Sequence, residues 1–135
     1  MAPDTDVVRR YCDAWMAGDL DHIISAYHDD IVLHWPGRHR LAGDHVGLDA
    51  ALAALGAAQQ RAERQLIEVH DILEGEHGVA VIVTERWTLR DPGESPVDLK
   101  RVLEYRVADG KLRECWIYES DQAAIDHLIG TTTQM

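Results

Sequence analysis

Apolar and polar positions along the chain change period twice. Over residues 4–17, Val8, Tyr11, Cys12 and Trp15 recur at i, i+3, i+4 and i+7, the spacing of one helix face. Asp4, Thr5 and Asp6 suit the N-terminal end of that helix, where carboxylates oppose the dipole, and Gly18 is placed to end it. Asp19 caps a short second helix with Leu20, Ile23, Ile24 and Tyr27 turned inward. Residues 31–35 read as a short strand stopped by Pro36-Gly37. Residues 38–47 form a loop with room for a small hairpin, and the Ala/Leu/Gln-rich stretch 48–60 a third helix. Beyond it the period falls to two. Strands are predicted at about 65–73, 79–90, 97–107 and 111–119, joined by Gly75–Gly78, Asp91–Pro96 and the tight-hairpin pair Asp109-Gly110. Ser120 caps a last helix at about 121–129, ended by Gly130, and residues 131–135 are expected to fray. Helices segregated from four antiparallel strands make an α+β fold. A strongly curved sheet wrapped around the helices leaves a conical, mostly apolar cavity, the usual setting for a small ligand.

Length changes this picture little: 135 residues without repeat or linker are one domain, 1–135. A hydrophobic share of 46% against 27% charged rules out a disordered chain. No apolar run approaches the ~20 residues of a membrane span, and the first ten residues carry no signal-peptide stretch, so a cytoplasmic protein is expected. The net charge of −11, with 13 scattered Lys and Arg, repels phosphate backbones and anionic membranes, so neither nucleic acid nor membrane is an expected partner. Two cysteines, Cys12 and Cys115, make no disulfide framework and no zinc spacing, and read as reduced, inert, buried thiols.

Strand alternation sorts the chemistry. On residues 97–107 one face carries Val97, Leu99, Arg101, Leu103, Tyr105 and Val107, so Arg101 is the lone charge on an apolar face. It needs either a carboxylate, with Glu119 or Glu85 as the candidates, or an anionic ligand. On the last strand Cys115, Ile117 and Glu119 share one face; Trp116 and Tyr118, with Leu112, share the other, where they fit a homodimer interface. Arg86 lies on a strand that is apolar on both faces, so alternation cannot place it. Among eight histidines, His34 and His70 sit on strands and titrate near neutrality, which suits proton transfer. His34, His39 and His45, with Asp44, match no metal-ligand spacing, and no metal is expected. There is no phosphate-cradling glycine loop and no nucleophile elbow, so no cofactor is indicated.

The element order resembles the nuclear-transport-factor-2-like superfamily over about residues 5–129, most closely its SnoaL-like branch. The strings that carry the likeness are RRYCDAWMAGDLDHIISAYHDDIVLHWPG, VHDIL, VTERW and ADGKLRECWIYESDQAAIDHL. The resemblance implies a cone-shaped α+β barrel, a deep pocket and frequent homodimers. It sets Tyr11 where ketosteroid isomerase has its oxyanion-stabilising tyrosine and Tyr27 where that tyrosine has its support. It also puts the base positions of ketosteroid isomerase, the SnoaL-type cyclases and limonene-epoxide hydrolase on Trp35, Ile117 and Thr88, none of which accepts a proton. The arginine of the hydrolase's Asp–Arg–Asp arrangement falls on Arg86, which the likeness turns inward. Glu119, two residues beyond Ile117, is the nearest carboxylate to a lost base position.

Together these point to a cofactor-independent enzyme moving a proton on a hydrophobic, oxygenated molecule, as isomerases and cyclases do. Epoxide ring opening and a non-catalytic, dimeric ligand binder stay open beside it. His34, His70 or Glu119 would move the proton, while Tyr11, Arg86 and Arg101 stabilise oxygen charge. Trp15, Tyr27, Trp35, Leu55, Thr88, Arg101, Cys115 and Ile117 are expected against the ligand.

Overall fold

The computed structural model describes residues 3–130, so the tail expected to fray lies outside the described residues. The elements run α1 (Pro3–Ala17), α2 (Leu20–Ser25), β1 (Tyr27–Trp35), β2 (Gly43–Val46), α3 (Leu48–Arg61), β3 (Ala62–Glu74), β4 (Val79–Leu89), β5 (Val97–Ala108), β6 (Lys111–Glu119) and α4 (Gln122–Ile129). The fold is α+β, as the patterning implies. Its single sheet is open, in the order β2-β1-β6-β5-β4-β3. From β3 to β6 the strands form an antiparallel meander, whereas β1 joins β6 in parallel and β2 folds back on β1.

Burial explains the helices. α1 sinks Val7, Val8, Tyr11 and Cys12 into the concave side of the sheet. It stops at Gly18, whose φ of +68° is left-handed backbone that a side chain resists. α2 is held at its start by the Asp19 carboxylate, which accepts from the His22 N–H. α3 buries Ala51, Ala54 and Ala58, small side chains that let it lie close to β1. α4 is capped by the Asp121 carboxylate, which accepts from the Ala124 N–H, one residue later than the Ser120 cap expected.

One element assignment and one face assignment are corrected. Tyr27 opens β1 rather than ending the second helix, because that helix stops at Ser25 with Ala26 as its cap; the Tyr27 side chain is buried, as expected. Leu112 is fully buried on the inner face instead of sharing the outer face with Trp116 and Tyr118. Arg106 pairs with Glu114 but Val107 pairs with Leu112, so Arg113 is an extra residue in β6. Such a bulge shifts parity by one and turns Leu112 inward.

Candidate functional site

The sheet closes over α1, α2 and α3 around a cavity of about 910 Å³, within the roughly 300–1,000 Å³ of small-molecule sites. Its wall is mostly apolar: Trp15, Ile23, Ile31, Leu33, Leu52, Leu55, Leu103 and Ile117 contribute to it. The polar groups fall into two sets.

The first set is aromatic hydroxyl. Tyr11 from α1 and Tyr27 from β1 meet with their oxygens 2.6 Å apart, both buried. Tyr105 from β5 stands edge-on to Tyr11, ring centroids 5.7 Å apart. Burial pushes the Tyr11 phenol well above its ordinary pKa, with further help from Tyr27, and pushes Tyr27 up to about 12. Both are therefore neutral at physiological pH. In such a pair one hydroxyl donates to the other, which keeps its own proton to offer elsewhere. Cys115 lies on the same wall, its thiol pushed up to about 12 by burial; it is no nucleophile at neutral pH.

The second set is ionic. Arg101 donates from Nε and Nη2 to the two oxygens of Glu119, at 2.8 and 2.7 Å, and from Nη1 to Glu85 at 2.5 Å. Glu85 also accepts from Trp87 Nε1 at 2.6 Å and from Arg64 Nη2 at 3.1 Å. The side chains of Arg101, Glu119 and Glu85 are 1%, 1% and 0% exposed. Burial works against the Arg101 charge, but Glu85 and then Glu119 outweigh it and hold the guanidinium protonated. Arg101 thus takes both carboxylates offered by the sequence, Glu119 directly opposite it in the β5–β6 register and Glu85 from β4. This is an acid–arginine–acid arrangement, but built from Glu119, Arg101 and Glu85 rather than around Arg86, Thr88 and Ile117.

Of the residues expected at the ligand, Tyr11, Trp15, Tyr27, Leu55, Arg101, Cys115 and Ile117 share the cavity wall, with Glu119 behind it on Arg101. The others lie elsewhere. Odd positions of β4 are buried, which sends the even positions Arg86 and Thr88 outward. Arg86 makes a bidentate cross-strand pair with Asp98, its register partner on the outer face. The inward turn implied for it is corrected, because Glu85 takes the inward place. His34 alternates outward between buried Leu33 and Trp35, where it meets Asp44 at 2.7 Å and Glu114 at 2.5 Å and stacks on Trp116. His70 bonds Thr84 and lines a second cavity of about 280 Å³ between α1 and β3, together with Cys12 and Asp71. Trp35 is buried away from the large cavity, edge-on to His39 at 5.2 Å. Cys12 and Cys115 therefore face different cavities.

Sequence reasoning missed Arg64, Arg90, Gln59 and Gln60, all on the wall. A signal exists for Arg64: Ala62, Arg64 and Leu66 alternate with exposed Glu63 and Gln65, but the strand predicted from the pattern begins only at 65. Among the described residues no group of His, Cys, Asp and Glu is arranged to hold a metal ion, and no helix is long and apolar enough to cross a membrane.

Comparisons agree with this fold. The chain is similar to an uncharacterised protein of Mycobacterium tuberculosis, 29% identical over 125 residues that cover 91% of this chain and 93% of that one. A solved Xanthomonas campestris protein with a cystatin-like fold is similar at TM-score 0.84 and 23% identity, over 93% of this chain and 96% of its own. A Jannaschia sp. CCS1 protein, described as a candidate SnoaL-like polyketide cyclase, is similar at TM-score 0.73 and 17% identity, over 91% of this chain and 89% of its own. The SnoaL-like domain family itself matches residues 8–115, from the first turns of α1 to the middle of β6, and the chain belongs to that family.

Proposed function

We propose that the protein takes a hydrophobic, oxygenated small molecule into the large cavity and polarises one of its oxygens, chemistry of the isomerase and cyclase kind. The observation that carries this reading is the Tyr11–Tyr27 hydroxyl pair on an otherwise apolar wall. A neutral phenol on a mostly apolar wall donates a hydrogen bond to a developing oxyanion, the preorganised stabilisation that enolisation and cyclisation need. Family membership supports the same class, since the similar Jannaschia protein is described as a cyclase of this type.

The proton acceptor is the harder part. His34 and His70 lie off this wall, and both Glu119 oxygens are held by Arg101. The base of this chemistry is therefore water or the substrate itself, with Tyr11 as the electrophilic partner. Ring opening of an epoxide suits the arrangement less, because it needs an attacking water on a carboxylate whose side chain is 1% exposed. One observation favours a second reading, a binding protein without turnover: among the described lining residues none is Asp, Glu or His.

The test is deuterium exchange of 2-tetralone, a hydrophobic enolisable ketone, followed by NMR in heavy water. Exchange above the buffer rate in the wild type, and a fall of roughly tenfold or more in Tyr11→Phe, is the expected result. Binding of the ketone with no acceleration at all moves the protein to the second reading.

A further inference from the structure

The charge of the cavity wall runs against the charge of the molecule. The chain carries a net −11, yet the wall contains Arg64, Arg90 and Arg101 and, among the described residues, no Asp or Glu. The carboxylates that answer these arginines stand behind the wall, and there are too few of them. Arg101 is satisfied by Glu119 and Glu85. Arg64 reaches Glu85 through Nη2 alone, while its buried Nε–H has no partner. Arg90 donates its Nε–H to the Gln59 carbonyl at 2.8 Å and has no carboxylate within 4.0 Å among the described residues. Three guanidiniums against two carboxylates leave one positive charge, carried by Arg64 and Arg90. A buried donor with no acceptor is costly, and native proteins seldom leave one without a use.

Both arginines belong to the part of the wall where β3 begins and β4 ends. Arg64 stands near the start of β3, stacked over Trp87 at 4.7 Å, and Arg90 directly follows β4. The backbone N–H of Arg90 donates to the Arg61 carbonyl, which ties the end of β4 to the end of α3, just before β3. Gln59 and Gln60, from the last turn of α3, add amide donors to the same stretch of wall. Apart from Arg101 and Cys115, the rest of the wall is apolar or phenolic.

We propose that the ligand of this cavity is a monoanion: an apolar body carrying one acidic oxygen group, a carboxylate or a comparably acidic hydroxyl, that settles against Arg64 and Arg90. The inference rests on the ligand-cavity reading above and adds the charge of the ligand and the residues that select it. Guanidinium forks recognise such groups through charge-assisted hydrogen bonds, and around the half-buried Arg64 the lower dielectric strengthens them. The negative surface opposes non-specific uptake of anions elsewhere, so selectivity for an anion isolates this site.

The test uses two fluorescent probes with one skeleton: anionic 8-anilinonaphthalene-1-sulfonate and neutral N-phenyl-1-naphthylamine. The wild type should bind the sulfonate about tenfold tighter or more, the scale of one charge-assisted hydrogen bond. Arg90→Gln and Arg64→Gln should each remove most of that preference, read as the ratio of the two probes' affinities. Arg90 is exposed, so Arg90→Gln keeps the test usable if loss of Arg64 from Glu85 unfolds the chain. Equal affinity for the two probes, or a preference that both variants retain, overturns the anionic ligand and leaves the cavity reading intact. Failure of both probes to bind removes the cavity reading and this inference with it.

Discussion

Glu85 is the residue on which most depends. With its side chain 0% exposed, it accepts from Arg101, Trp87 and Arg64, and so joins three strands through one carboxylate. Removing one member of a buried ion network leaves the others charged without a partner, at a cost of about 3–5 kcal/mol. Glu85→Gln is therefore expected to destabilise the fold by about that much in urea denaturation. Loss of less than about 1 kcal/mol would show that Arg101 and Arg64 are solvated in some other way. His34 makes a different prediction. Burial alone would lower its pKa, but hydrogen bonds to Glu114 and Asp44 outweigh it and the pKa is raised. A raised folded-state pKa contributes stability that is fully present below the unfolded value of about 6.5 and is lost as pH rises through the folded value. The stability difference between wild type and His34→Gln should thus be larger at pH 6 than at pH 8.5; a difference that grows with pH contradicts the pairing. At this scale the sequence was legible only in part. Arg101 and Glu119 could be read as a pair because both sit on regular strands whose alternation places them on one face. His34 and His70 misled because an unperturbed pKa says nothing about which side of a sheet a histidine faces. Arg86 misled because Glu85 and Arg86 are adjacent, so an error of one position exchanges inside for outside.

Among the elements, the joint between β1 and α4 is the most tightly set. Gly37, at φ +116°, turns the chain out of β1, and a Cβ there would lie 2.3 Å from Gln122 Nε2 and 2.4 Å from Asp126 Oδ1. Those two side chains are themselves tied to the turn, Gln122 donating to the Pro36 carbonyl and Asp126 accepting from the Arg38 N–H. Gly37→Ala is expected to lose about 1–3 kcal/mol through strain and a displaced α4, read as a lower denaturation midpoint. An unchanged midpoint would mean that α4 is not held by this turn. The Asp109-Gly110 hairpin shows the opposite case, where local chemistry was enough: both residues adopt positive φ, +55° and +72°, as a type I′ turn requires. The helices and the β3–β6 meander were legible because period and turn residues agree there. The N-terminal half of β1 was not, since His28, Asp29 and Asp30 have no apolar alternation and lie where the β1–β6 register shifts between Tyr27 and Val32. The inward turn of Leu112 was hidden for a similar reason: a bulge is a property of two strands in register and leaves no mark in one of them.

At the scale of the whole molecule, the outer face of the sheet bears on assembly. Trp116 and Tyr118 both project there from β6, which lies in the interior of the sheet order rather than at an edge. The chain covers part of this aromatic surface itself: His34 stacks on Trp116 with centroids 4.9 Å apart, and the Arg106 guanidinium lies 5.4 Å from the same ring. Tyr118 remains 49% exposed, its hydroxyl donating to Glu104. An aromatic centre ringed by charges of both signs has the make-up of an interface core and rim. We propose that two copies meet through this face. Each copy carries −11, so long-range repulsion opposes the contact and salt should favour it; raising the ionic strength from about 20 to 300 mM shortens the screening length severalfold. Sedimentation at micromolar concentration is expected to show a dimer that strengthens with salt. Tyr118→Glu, which sets a second carboxylate beside Glu104 at the centre of the contact, is expected to give a folded monomer with the cavity intact. A wild type that stays monomeric at both salt concentrations, or a Tyr118→Glu variant that dimerises as well as the wild type, would place the contact elsewhere or remove it, and would leave the aromatic pair on β6 as covering for the sheet alone.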